Sequence, residues 1–192
     1  MYVGYHGTVA DRPPAPAPLE LVRQLVNTRD LESGDDALAT PADAARWLRA
    51  HGLLEPGVHI TANDATRLCA VREAIRALLL ANNGGVVDAA ACAVLNRAAD
   101  RCELGARFDP DGTIGVAGRG RGIDGVIATV LAIVLGAVAD GSWSRLKACR
   151  GDECHWAFYD RSRNRSGQWC VMAVCGNRSK ARAYRERRKE PR

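Results

Sequence analysis

Four cysteines near the C-terminal end constrain this chain more than any other feature of it. Cys149 and Cys154 are separated by four residues, and so are Cys170 and Cys175; fifteen residues lie between the two pairs. Three more cysteines, Cys69, Cys92 and Cys102, stand singly upstream. Seven thiols leave one over in any disulfide framework, and no export signal is evident at the start of the sequence. Two short loops of equal span, each bounded by thiols, match what a tetrahedral zinc ion requires. Four protein sulfurs on one ion leave no open coordination position, so the expected role is structural. The expectation is one Zn2+ per chain on Cys149, Cys154, Cys170 and Cys175. His155 is an alternative donor, but its adjacency to Cys154 would strain the chelate. The three single cysteines read as small core residues.

The segment around these cysteines needs such a staple. Residues 143–192 hold 14 Lys and Arg against 5 Asp and Glu, a net +9, while the preceding 142 residues net −4. Fifty residues so rich in charge bury little surface unaided. Zinc binding supplies roughly 10–16 kcal/mol of apparent folding free energy in small fingers. Six of the ten aromatic residues also fall here, and Trp156, Phe158 and Trp169 are expected in a small core. Between the cysteine pairs, Arg161, Arg163 and Arg165 alternate along a polar loop. After Cys175 a run of helix formers follows, with Asn177 placed to cap it. Arg178, Arg182, Arg185 and Lys189 fall at helical spacing on one face, with Lys180, Arg187 and Arg188 nearby. A field of this sign attracts polyanions, and nucleic acid is the commonest. Arg161, Arg163, Arg165, Asn177, Arg178, Lys180, Arg182, Arg185, Arg187 and Arg188 are the candidate nucleic-acid contacts.

Upstream, the pattern is helical. Residues 1–18 read as an extended Pro/Ala-rich arm. Leu19, Val22, Leu25 and Val26 share one helical face. Thr40-Pro41 and Thr61 with Asp64 are helix starts. Leu68, Val71, Ile75, Leu78 and Leu79 make the apolar face of the helix that follows. A fourth helix is expected over residues 86–102. Residues 106–116 read as two short strands around Pro110-Asp111-Gly112. Ile123 to Ala139 is apolar nearly all round, which predicts a helix at the centre of the core. The domains predicted are therefore 19–141, mainly helical with one β-hairpin, and 142–192, a small zinc-finger domain.

Other function classes find little support. The longest uncharged apolar run, residues 125–139, is too short to span a bilayer, and a cytoplasmic protein is expected. There is no HExxH, GxSxG or P-loop pattern. Gly120-x-Gly122-x-x-Gly125 superficially matches a dinucleotide loop, but it follows a hairpin strand and no second βαβ unit succeeds it. The chain is read as a non-enzyme.

Cys175-Gly176-Asn177-Arg178 resembles the motif that names the CGNR zinc-finger family. Lys147-Ala148-Cys149, Cys154-His155-Trp156-Ala157-Phe158-Tyr159-Asp160, Ser162-Arg163-Asn164 and Trp169-Cys170 extend the likeness. Upstream, Val26-Asn27-Thr28-Arg29, Thr40-Pro41, Trp47-Leu48, Gly52-Leu53-Leu54 and the stretch from Arg72 to Leu78 resemble the ABATE domain that usually precedes this finger. The resemblance implies zinc on the four cysteines, DNA contact by the finger, and a bacterial, stress-related transcription regulator. It implies no ligand for the first domain. A polar cluster at the end of the first helix, Asn27, Thr28 and Arg29, is the candidate ligand site there, and that domain is expected to sense a small-molecule effector or to form a homodimer. Two other readings stay open: an RNA-binding or ribosome-associated zinc protein, and a small-molecule binder or enzyme whose finger is a protein-interaction module.

Overall fold

A computed structural model of the chain describes residues 13–189. Of the expected arm, residues 1–12 lie outside the described part. From Pro13 the chain runs close to the domain: Ala15 is buried and its N–H donates to Glu20 Oε2 at 2.7 Å.

The fold is mainly helical. Helix α1 (Leu19–Val26) buries the four apolar residues expected of it. Helix α2 (Pro41–Ala50) starts on Thr40, whose side chain accepts from the Asp43 N–H, and it buries Ala44, Ala45 and Leu48. Helix α3 (Ala62–Asn82) begins with a reciprocal capping box between Thr61 and Asp64. It is the spine of the helical part, touching α1 and α2 and, further along the chain, the next two helices and the strand over Leu146–Ala148. Its core face holds Leu68, Val71, Ile75 and Leu79, whereas Leu78 is only half-buried.

Helix α4 (Ala89–Arg101) is shorter than the sequence suggests. The Asp88 carboxylate accepts from the N–H groups of Ala90 and Ala91, at 2.8 and 3.3 Å, and fixes the start there. Val86 and Val87 therefore lie outside the helix, exposed. Strands β1 (Gly105–Phe108) and β2 (Ile114–Ala117) form the expected hairpin, with Phe108 opposite Ile114. Gly112 takes φ +85°, a left-handed turn conformation that favours glycine.

Helix α5 (Ile123–Ala139) follows. Its first half buries Ile123, Val126, Ile127, Val130 and Leu131, but Leu135 and Val138 are exposed. The helix is thus central for two turns and one-sided thereafter, because the elements that flank it do not wrap its far end.

Beyond a 3-10 turn (Trp143–Arg145) come two strands that the sequence pattern does not reveal, β3 (Leu146–Ala148) and β4 (Ala157–Tyr159). They pair antiparallel, Lys147 opposite Phe158. Leu146, Ala148 and Ala157 are fully buried in the same core as the helices, and β3 packs on α3, β4 on α1. The chain does turn at residues 140–142, yet the interior continues across that turn.

Side-chain amides lock the junction. Asn82 Nδ2 donates to the carbonyls of Trp143 and Leu146, both at 2.9 Å. Asn83 Nδ2 donates to Ala148 O at 2.7 Å and Gln168 O at 2.9 Å. Asn27 pairs both ways with the Ala157 backbone, donating at 2.9 Å and accepting at 2.7 Å. Asn83→Ala leaves two carbonyls without these donors and is expected to destabilise the chain by about 1–3 kcal/mol. Urea unfolding followed by tryptophan fluorescence checks this.

Candidate metal centre and basic surface

The four cysteines sit on two loops that backbone hydrogen bonds bring face to face. The first, 149–154, links β3 to β4; the Cys149 N–H donates to Trp156 O at 3.0 Å and the Cys154 N–H to Gly151 O at 2.9 Å. The second, 170–175, ends in a π-turn (Met172–Gly176) that runs directly into helix α6 (Asn177–Lys189). The Arg150 N–H donates to Gln168 O at 3.1 Å and ties the loops together. All four sulfurs lie within 4.8 Å of one another. Cys154 Sγ is 3.5 Å from Cys170 Sγ, which is 3.6 Å from Cys175 Sγ. A tetrahedron with metal–sulfur bonds of about 2.3 Å has edges of about 3.8 Å; a disulfide needs about 2.05 Å.

Two glycines make this closeness feasible. A Cβ on Gly151 would stand 3.2 Å from Cys154 Cβ and 3.7 Å from Cys149 Sγ. A Cβ on Gly176 would be 3.2 Å from Trp169 Cδ1 and would overlap the Met172 sulfur. Phe158 is buried among the sulfurs, with Trp156, Trp169, Val171 and Val174 packed around them, as expected of a small aromatic core.

The electrostatics of the sulfurs favour a cation. Hydrogen bonds from the Cys154 and Cys170 thiols pull Cys149 far below the ordinary thiol range, to about 2. The bonds to Cys149 push Cys154 and Cys170 up, and burial raises Cys175. A thiolate here forbids its neighbours from ionising unless a positive ion lies between them. The buried, convergent, all-sulfur donor set fits a closed soft-metal site, and no imidazole among the described residues joins it.

A second buried feature organises the arginine loop, and the sequence pattern gives no sign of its role. Lys147 lies on β3 with its ammonium buried, 2.8 Å from Asp160 Oδ2 and donating to Arg165 O at 2.5 Å and Gly167 O at 3.1 Å. The Asp160 carboxylate also accepts from the N–H groups of Ser162 (3.0 Å) and Gly167 (2.8 Å). Burial acts to raise the Asp160 carboxyl, but the Lys147, Ser162 and Gly167 hydrogen bonds prevail and hold it at about 2. Residues 160–167 are thus wrapped around an ion pair. Outside it, Arg161 donates to Pro14 O at 2.6 Å and lies over the Tyr159 ring; Arg165 donates to Ser144 Oγ at 3.0 Å; Arg163 is exposed.

Helix α6 projects from the cluster with nearly every side chain exposed. Its basic residues divide into two groups. Arg178 pairs with Glu32, at 2.8 Å, in the loop after α1, and Arg182 pairs with Asp152 of the first cysteine loop. Lys180, Arg185, Arg187 and Arg188 make no ion pair among the described residues; Arg185 donates to Ala181 O, and Arg188 lies over the Tyr184 ring. Asn177, rather than capping the helix start, donates from Nδ2 to Ala173 O at 3.0 Å.

The candidate ligand residues of the first domain lie on the junction. Asn27 holds Ala157. Thr28 is buried, donates to Leu25 O at 2.7 Å and accepts from Arg72 Nη1 at 3.0 Å. Arg29 is exposed, and its carbonyl accepts from Arg76. Arg72 and Arg76, both buried, form the hub behind them. Arg72 grips Asp36 through two nitrogens, at 2.6 and 2.8 Å. Arg76 donates to Val26 O at 2.6 Å and to His155 O at 3.0 Å, which ties α3 to the cysteine loop. In the sequence these two arginines interrupt an apolar face, and that interruption is the signal that could have marked them.

Fold and cluster together define a helical domain fused to a four-cysteine finger. Residues 145–188 match the family described as "CGNR zinc finger", and residues 8–141 match the ABATE family, described as "Putative stress-induced transcription regulator". The chain belongs to the ABATE family and carries a CGNR finger after the ABATE domain. Among curated proteins, none matches it. No helix among the described residues is long and apolar enough to cross a membrane.

Lys147→Met strands the Asp160 carboxylate and is expected to cost about 3–5 kcal/mol near neutral pH. Asp160 has a depressed pKa in the fold, so its contribution is complete well above the unfolded value of about 3.9 and fades as pH falls toward about 2. The stability gap between the variant and the parent is therefore expected to narrow over that acid range, which denaturant titrations at a series of pH values measure.

Proposed function

We propose that the chain is a DNA-binding transcription regulator, not an enzyme, in which one structural Zn2+ on Cys149, Cys154, Cys170 and Cys175 fixes a basic helix for contact with phosphates. The observation that carries this reading is the exposed, unpaired state of Lys180, Arg185, Arg187 and Arg188 on α6, one turn and more beyond a sulfur cluster that clamps the helix start. A helix rooted in this way loses little orientational freedom on binding, which lowers the cost of association. Arg163 and its loop neighbours supply a second group of charges, held in place by the Lys147–Asp160 pair. Arg178 and Arg182 serve first as struts, since their guanidinium groups are engaged by Glu32 and Asp152. The helical domain supplies the sensing or dimerising part of the reading, and a dimer would suit a two-fold operator.

Zinc analysis of the purified chain is expected to give about one ion per chain. Cys170→Ser removes a ligand, and both the zinc and DNA binding should be lost. With about six phosphates neutralised, the logarithm of the affinity should fall against the logarithm of salt with a slope of about −5. Arg185→Ala with Arg187→Ala should reduce that slope by about 2. Filter binding over a salt series measures both, and an affinity indifferent to salt would refute the reading.

Tyr184 favours a second reading. Its ring is 55% exposed among the arginines of α6, as a base-stacking platform for single-stranded RNA requires. Competition between duplex DNA and single-stranded RNA decides: preference for RNA, lost in Tyr184→Ala, selects it.

A further inference from the structure

The helical domain is acidic overall, and several of its arginines meet a single carboxylate: Arg23 with Glu20, Arg46 with Asp43, Arg107 with Asp109. Elsewhere three arginines gather around a cleft. Between α3 and α4 lies a cleft of about 370 Å³ with Arg67, Arg97 and Arg101 among its walls. Arg97 and Arg101 are one turn apart on α4, and Arg67 faces them from α3. The carboxylate they share is Asp124: Arg67 bonds to it, and Arg101 Nε stands 3.6 Å away. Asp64 adds a second carboxylate, its Oδ1 3.7 Å from Arg67 while its Oδ2 accepts from the Thr61 cap, so two acids face three guanidinium groups. Arg97 is exposed and makes no ion pair among the described residues. The cleft thus has more guanidinium charge than its acids neutralise.

Its remaining lining is mostly apolar, with Asn63 as the polar exception and Ala70 and Ala98 among the walls. Val71 stands one turn along α3 from Arg67, Val94 one turn before Arg97 on α4, and Ile127 comes up from α5. Val71 and Ile127 are buried. Cations on the wall and branched aliphatic groups below are the pattern of a site for an amphipathic anion, and the volume lies within the range of small-molecule pockets. A guanidinium fork matches a carboxylate in two parallel hydrogen bonds. A strongly hydrated phosphate gains nothing from the aliphatic floor, whereas an aryl or short alkyl body does.

We propose that this cleft binds a small organic carboxylate with an apolar body, its carboxylate held by Arg97 and Arg101 and its body resting on Val94, Ala70 and Ala98, above the buried Val71 and Ile127. Binding at the cleft does not depend on the regulator reading. Its consequence does: α3 carries the cleft near one end and, further along, Arg76, Asn82 and Asn83, which hold the finger. A ligand bridging α3 and α4 would bear on the helix to which the finger is fastened.

The test is calorimetric titration of the full-length, metal-loaded chain, free of nucleic acid, with benzoate and with its neutral counterpart benzamide. Saturable benzoate binding in the millimolar range or tighter is expected, with benzamide at least about tenfold weaker, since a hydrogen bond to a charged group is about twice as strong as a neutral one and the fork makes two. Arg97→Ala and Arg101→Ala should each weaken benzoate about tenfold. Arg46→Ala, on the distant helix α2, should leave it unchanged. Absence of saturable binding at millimolar benzoate, equal affinity for benzamide, or binding indifferent to both α4 substitutions would overturn the proposal. None of these outcomes involves DNA, so failure here and failure of the regulator reading are told apart.

Discussion

Polar side chains on α3 hold the two halves of this chain as one body. A finger loop is largely carbonyl groups without secondary structure to satisfy them, and buried carbonyls left unpaired are costly. Here Arg76, Asn82 and Asn83 reach out of a helix and meet the carbonyls of His155, Trp143, Leu146, Ala148 and Gln168. Asn27 does the same from α1. The sulfur cluster closes the loops locally, but these donors fix where the closed loops sit. Leu146, Ala148 and Ala157 then complete the interior of the helical domain. The finger's strands and the helices therefore share one core, beside the small cluster that holds the sulfurs.

What could be read from the sequence is what repeats or spaces itself. The helices α1, α2 and α3 show their caps and apolar periods plainly, and the equal cysteine spacing gives the cluster outright. The hairpin announces itself through Pro110-Asp111-Gly112. Other features resist for physical reasons. Strands β3 and β4 are three residues each, too short for alternation to register, and Lys147 in the middle of β3 looks like a surface residue until its partner Asp160 is known. Arg72 and Arg76 likewise read as interruptions of a core face: Glu73 beside them bonds to both, but Asp36 and the carbonyls that complete their partners come from residues tens of positions away. The one-sided far half of α5, where Leu135 and Val138 are exposed, shows the converse limit. An all-round apolar helix implies burial, but how far its neighbours extend along it is a tertiary fact.

The same long-range pairing divides the basic residues of α6 into two sorts. Sequence spacing places Arg178, Arg182 and Arg185 on one stripe. The fold places acids opposite the first two and not the third. Exposed ion pairs of this kind are individually weak, about 0.2–1 kcal/mol. Their value is geometric: one ties the helix start to the helical domain, the other ties its next turn to the first cysteine loop. Beyond that turn Arg185, Arg187 and Arg188 make no ion pair among the described residues, and Arg185 and Arg188 contact only α6 itself.

This arrangement makes the loop after α1 the natural point of communication. Asp36 at its end is gripped by Arg72, the Thr28 hydroxyl before it accepts from the same guanidinium, and Glu32 at its tip holds Arg178. One short segment thus connects a buried hub on α3 with the root of the basic helix. Buried pairs such as Arg72–Asp36 resist loss strongly, because either partner alone is left charged and desolvated. The Glu32–Arg178 pair is exposed, and a phosphate offers Arg178 a substitute of the same sign. The root of α6 is thus tied, through one segment, to a buried ion pair at one end and an exposed one at the other.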